Sequence, residues 1–329
     1  MKSIQLENKI AQTGLETLDI EIAALQALRE PILHPHFSAA VQAIFEKIGL
    51  KGRVIVTGIG KSAIIAQKMV ATFNSTGTPA LFMHAADAIH GDLGMIQTDD
   101  VVICLSKSGD TPEIKVLTPL LKQYGNILIG VTANKASVLG KRADFVLHTP
   151  IDREADPNNL APTASTIAQM AVGDALAMAL LTLKGFSKTD FARVHPGGAL
   201  GKQLYLRVRD LMLLHDAPAV LRTASLQQVI VEMTSKRLGA TVVLNENHSV
   251  AGMITDGDLR RMLSKTLNFN DLKAEMIMTL HPKSIEPDVL AIHALALMRE
   301  QSITQLIVVS KGAYQGMVHL HDLLKEGLI

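Results

Sequence analysis

An α/β fold is what three features of this 329-residue chain predict: a five-stranded parallel sheet flanked by helices, followed by a C-terminal pair of small α+β repeats. Short apolar runs alternate with helical stretches as far as residue 205, the rhythm of β-α-β units that assemble into a parallel sheet. Two of those runs break into loops rich in glycine and serine just before a helix begins. Beyond residue 206 the pattern changes to a repeat of roughly 65 residues, a period typical of repeated supersecondary units.

The elements follow in order. An N-terminal helical region carries a break near Pro31 and Pro35, since proline interrupts a helix or begins a new one. The runs 54–57, 80–83, 101–105, 127–132 and 145–147 read as buried strands, being short and continuously apolar. Right-handed crossovers then place the loops after them on one edge. The stretch 167–183 is the most apolar of all, but it is slightly short for a membrane span and contains Gln169, Gly173 and Asp174. It reads as a buried helix in a cytoplasmic protein. The expected division is 1–205 for the sheet domain, 206–269 for the first repeat and 270–329 for the second.

The segment Ser106-Lys107-Ser108-Gly109-Asp110-Thr111-Pro112-Glu113 follows the third apolar run and opens a helix. The first amides of a helix have no internal partner and carry partial positive charge, and serine and threonine add short donors. Turn and cap preferences alone favour the same residues, so a second loop of this kind matters. Gly58-Ile59-Gly60-Lys61-Ser62 provides it, after the first apolar run. The nucleoside-triphosphate loop fails here because Ile55 stands where its first glycine belongs. Gly58-x-Gly60-x-x-Ala63 fits a dinucleotide fingerprint, but the strand that should end in an acidic residue ends in His84. A nicotinamide oxidoreductase is therefore the weaker reading.

Bulk properties exclude other classes. A net charge of +1 leaves no footprint for nucleic acid or an anionic membrane. The single cysteine, Cys104, lies inside an apolar run and reads as a core residue. The first twelve residues lack the apolar centre of a signal peptide.

Six anchors, in order, carry a resemblance: Gly58 to Ser62, Ser75 to Pro79, His90 to Gly94, Ser106 to Glu113, Leu160 to Thr163 and His195 to Gly201. The chain resembles the sugar isomerase (SIS) domain proteins, specifically the arabinose-5-phosphate isomerases, whose SIS domain precedes two CBS repeats. The resemblance implies interconversion of D-ribulose 5-phosphate and D-arabinose 5-phosphate through an enediol. It places that step on the route to the eight-carbon acid sugar Kdo of lipopolysaccharide or capsule. Such chemistry needs a base at carbon, an electrophile at the carbonyl and a phosphate clamp, and no cofactor.

Carried over by motif, the catalytic positions are Lys61, Glu113, Glu154 and His195. The choice of base among Glu113, Glu154 and His195 stays open. Substrate contacts fall on Ser62, Gly77, Thr78, His84, His90, Ser106, Ser108, Thr111 and Thr163, and His84 is also a possible site for inhibitory zinc. Lys107 departs from the small polar residue expected between the two serines; it either tightens phosphate binding or points into solvent. The resemblance further implies a homotetramer that completes its sites across subunits.

In the repeats, Asp210-Leu-Met212 and Gly252 to Asp258 are echoed by Met276-Ile-Met278 and Gly316 to Asp322. Modules of this type often bind nucleotides, which would place a nucleotide or nucleotide-sugar effector on Thr255, Asp258 and Asp322. His319 stands where the second hydroxyl belongs, and a purely structural, dimerising pair is the alternative. The two competing functions are a sugar-phosphate sensor without catalysis and another phosphosugar isomerase.

Overall fold

The computed structural model describes residues 2–264, 269 and 271–328, in two compact units, Met1–Val194 and His195–Ile329. The first opens with α1 (Lys2–Ala27), α2 (Arg29–Leu33) and α3 (Pro35–Gly49). Pro35 occupies the first turn of α3, where its missing N–H costs nothing. Then come β1 (Val54–Gly58), α4 (Lys61–Ser75), β2 (Ala80–His84), α5 (Ala85–Ala88) and a 3₁₀ turn at Asp92–Met95. They are followed by β3 (Val101–Leu105), α6 (Pro112–Gln123), β4 (Ile127–Thr132), α7 (Val138–Arg142), β5 (Phe145–His148), α8 (Ala164–Leu183) and α9 (Lys188–Val194).

The five strands pair in the order β2-β1-β3-β4-β5 and all run parallel. Their carboxyl ends are level: Gly58 lies opposite His84 on one side and Leu105 on the other. The order reverses at β1, so the crevice between the ends of β1 and β3 is the topological switch point where open α/β sheets bind ligands. Alternation along the strands splits the core. Val54, Val56 and Ile103 meet α3, α4 and α8 on one face, while Ile55, Val102 and Cys104 meet α5, α6 and α7 on the other. Complete burial pushes the Cys104 thiol up to about 12, which makes it the inert core residue expected.

Helix α8 is long and apolar enough to cross a membrane by length and composition, with mean hydropathy 1.5, yet it packs on this domain. Ala168, Val172, Leu176 and Leu180 face its core. Only 39% of its apolar window is buried, and Met178 and Leu183 lie exposed.

The second unit contains α10 (Ala199–Tyr205), α11 (Val208–Met212), β6 (Ala219–Leu221), α12 (Leu226–Lys236), β7 (Ala240–Leu244), β8 (Val250–Thr255) and α13 (Asp256–Leu263). The second repeat holds α14 (Ala274–Ile277), β9 (Ser284–Ile285), α15 (Ala291–Gln301), β10 (Gln305–Ser310), β11 (Ala313–His319) and α16 (Leu320–Lys325). Each repeat builds the same small sheet, a parallel pair extended by an antiparallel strand: β6-β7-β8 and β9-β10-β11. The expected boundary at 205 moves to Val194. Gly201 sits against His195 and Pro196, and Lys202 bonds Glu326 at 2.7 Å, so 195–205 packs with the repeats. The junction at 265–270 lies largely outside the described residues.

Candidate active site

The serine loop after β3 is folded by its own side chains. Ser106, buried, accepts the Gly109 N–H at 3.0 Å, and exposed Ser108 accepts that of Asp110 at 3.3 Å. Gly109 allows this turn because its φ is +68°. Thr111 is the N-cap of α6 yet makes no capping bond, and its buried Oγ1 has no partner among the described residues. A threonine in this position ordinarily accepts an amide of the first turn. Here hydroxyl and helix dipole are both left to an outside group, and an anion is what they suit.

The glycine loop stands beside it across the switch point. Gly60, at φ +59°, is the N-cap of α4, and a Cβ on Gly58 would lie 3.0 Å from the Ser62 backbone. Both glycines let the chain turn tightly onto the helix. Lys61 follows, exposed and without a partner among the described residues. Ser62 donates to Gln169 Oε1 at 3.1 Å. Glu113, in the first turn of α6, is half-buried and also without a partner among the described residues.

Glu154 is the opposite case. It is fully buried, and its carboxylate accepts Thr163 N–H at 2.8 Å, Ser165 N–H at 3.1 Å and Ser165 Oγ at 2.6 Å. Thr163 Oγ1 adds a longer contact at 3.3 Å, and Lys107 Nζ pairs with it at 2.7 Å. Burial raises this carboxyl, but the bonds from Lys107, Ser165 and the two amides outweigh that and bring it down to about 2. The Lys107 side chain is 40% exposed, and its ammonium is taken up by Glu154 instead of the serine hydroxyls. Sequence reasoning missed the pair because its members are distant in the chain; the signal was the lysine's departure from the family pattern.

His84 ends β2, with Nδ1 buried, without a hydrogen bond among the described residues, and 3.6 Å from Asp87. His90 is exposed beyond α5. Among the described residues no three His, Cys, Asp or Glu side chains are placed to hold a metal, so zinc at His84 would draw its other ligands from elsewhere. Gly77 and Thr78 are not brought to this edge. They precede β2, which puts them at the amino ends of the parallel strands, where Lys184 takes the Thr78 hydroxyl at 2.7 Å and Phe186 covers Gly77. As substrate contacts within one chain, both are corrected. His195 lies in the second compact unit, half-buried.

In the repeats, Thr255 and Asp258 line a cleft of about 560 Å³ with Arg260, Arg261, His281 and Lys283. They also cap α13 reciprocally. Burial raises the Asp258 carboxyl, but bonds from Thr255, Thr279 and Arg261 hold it below the usual range. Asp322 is buried, and His215 Nε2 lies 2.6 Å from it. His215 and His281 fall at matching places after the first helix of each repeat, a signal already present in the two Leu-His pairs.

Comparison with known proteins identifies both kinds of domain. The SIS domain family matches residues 48–179, and the CBS domain family matches 208–265 and 274–328. The chain is 43% identical over 319 residues to the arabinose 5-phosphate isomerase of Yersinia pestis, covering 97% of this chain and 96% of that one. It is 47% identical over 281 residues to the Pseudomonas aeruginosa enzyme of the same name, covering 85% and 86%. Among solved structures, a protein of E. coli CFT073 in complex with arabinose 5-phosphate superposes with TM-score 0.53 at 40% identity, spanning 57% of this chain and 98% of that one. The chain belongs to the arabinose 5-phosphate isomerase family, a SIS domain followed by two CBS domains.

Proposed function

We propose that the pocket at the β1–β3 switch point interconverts D-ribulose 5-phosphate and D-arabinose 5-phosphate. The observation that carries this reading is the Thr111 hydroxyl, buried at a helix start and bonded to nothing among the described residues. The substrate phosphate sits on Ser106, Ser108 and Thr111, with Ser62 and Thr163 nearby. Lys61 stabilises the oxyanion as the enediol forms, and Glu113 moves the proton between C1 and C2. His195 joins the site from a neighbouring subunit. No cofactor takes part, and zinc at His84 is inhibitory.

The deciding assay incubates purified protein, chelator present, with ribulose 5-phosphate in deuterated water. Arabinose 5-phosphate carrying deuterium at C2 is expected. No turnover, with protection against heat by the sugar phosphate, would instead identify a sensor.

Thr111→Val tests the phosphate site. The hydroxyl has no partner to lose among the described residues, so the melting temperature stays or rises. A charge-assisted bond is worth about 1.5–3 kcal/mol, so KM rises roughly 10- to 100-fold. An unchanged KM would remove Thr111 from the site.

The enzyme is a cytoplasmic homotetramer on this reading, supported by the open apolar side of α8 with its exposed Met178 and Leu183. A nucleotide or nucleotide sugar binds the cleft that Thr255 and Asp258 share with the second repeat, supported by the four basic groups that line it. Sedimentation in AMP reads both: a four-chain mass, and nucleotide absorbance travelling with the boundary. The product feeds Kdo synthesis, so a strain lacking the enzyme should need added arabinose 5-phosphate to make it.

A further inference from the structure

The Lys107–Glu154 pair joins the loop after β3 to the loop after β5. Lys107 sits between the phosphate-loop serines, with its carbonyl held by the Ala133 N–H at 3.1 Å and the Thr132 hydroxyl at 3.1 Å. Its ammonium reaches 2.7 Å from a carboxylate of zero exposure. Glu154 is anchored from the other side by Thr163 and Ser165 at the head of α8, and its own N–H donates to Asn159 at 2.8 Å. Asp152, Arg153 and Asp156 share its loop and make no bond to it; Lys107 is the charge that faces it. Both oxygens of Glu154 are therefore engaged inside the protein, Oε1 by Ser165 and Lys107 and Oε2 by the Thr163 and Ser165 amides.

We propose that Lys107 is a positioning residue for the isomerisation: it fixes Glu154 as a permanent anion and straps the 152–163 loop to the serine loop. Glu154 then holds the pocket wall and does not take the proton from carbon. This rests on the isomerase reading, which wild-type turnover tests separately.

Four variants test it: Lys107→Met, Lys107→Arg, Glu154→Gln, and Lys107→Met combined with Glu154→Gln. Lys107→Met strands a buried carboxylate. Glu154 gains stability for the fold only while its folded-state pKa lies below the unfolded one. In wild type that contribution is present above about pH 4.5 and is lost as pH falls toward about 2. Without the lysine the loss moves upward, so acid unfolding begins at higher pH than in wild type, and KM rises about tenfold, more than kcat falls. Lys107→Arg restores both.

The double variant leaves no unpaired charge, so it folds, and its kcat recovers relative to Glu154→Gln alone. Were Glu154 the carbon base, the double variant would stay as inactive as Glu154→Gln, down about 10²- to 10⁴-fold. That result, or an unshifted acid-unfolding midpoint and KM in Lys107→Met, overturns the proposal.

Discussion

Glu113→Gln lowers kcat by about 10²- to 10⁴-fold while KM stays close to wild type, the loss expected when a general base is removed and ground-state binding is kept. The loops at the carboxyl ends of the strands carry two carboxylates in very different circumstances. Glu154 is held at about 2 by Lys107, Ser165 and two amides despite its burial, so at neutral pH it has almost no tendency to take a proton. Glu113 has no partner among the described residues and stands two residues from the orphan Thr111 hydroxyl. A carboxylate free of internal bonds, next to the proposed phosphate, is the one placed to move a proton along the sugar chain. Glutamine keeps the shape and removes the basicity. The check is deuterium exchange at C2 followed alongside turnover: both should fall together. Exchange that persists in Glu113→Gln would transfer the base role to His195.

Gly109→Ala should disable the phosphate loop outright. The residue sits at φ +68°, and an added Cβ would lie 2.1 Å from Ser137 Oγ and 3.0 Å from Thr132 Oγ1. Neither neighbour can yield. Ser137 caps α7 through the Gly140 N–H at 3.1 Å, and Thr132 Oγ1 donates to the Lys107 carbonyl at 3.1 Å. Overpacking costs about 1–3 kcal/mol, and a left-handed alanine adds roughly 1–2. At roughly 2–4 °C per kcal/mol for a unit of this size, the melting temperature drops on the order of 10 °C. KM rises more than about tenfold, because the turn that presents Ser106 and Thr111 is displaced. A variant that melts and binds like wild type would show that the loop is not the rigid cradle described above.

Much of this was legible in the sequence because the signals were local. The strands appeared as unbroken apolar runs, since a sheet covered on both faces needs no polar positions. The serine loop appeared because cap, turn and anion chemistry all select the same few side chains. The switch point, by contrast, depends on strand order, which no single segment encodes. The Lys107–Glu154 bond and the His215–Asp322 bond each join residues far apart in sequence, and so arise only when the fold closes. Gly77 and Thr78 were misplaced for a simpler reason: residues before a parallel strand lie at the edge opposite those after it. The motif was visible, but its position relative to β2 decides which edge it occupies.

The missing cap on α6 has a cost for the free protein. An N-cap threonine that bonds its helix contributes about 1 kcal/mol, and Thr111 withholds that bond. The unliganded enzyme therefore unfolds about five times more readily than one whose loop had been shaped for stability alone. Sugar phosphate bound there would close the deficit and add its own binding energy. In a growing cell, where proteases sample the unfolded fraction, the lifetime of this protein would then depend on the supply of its substrate.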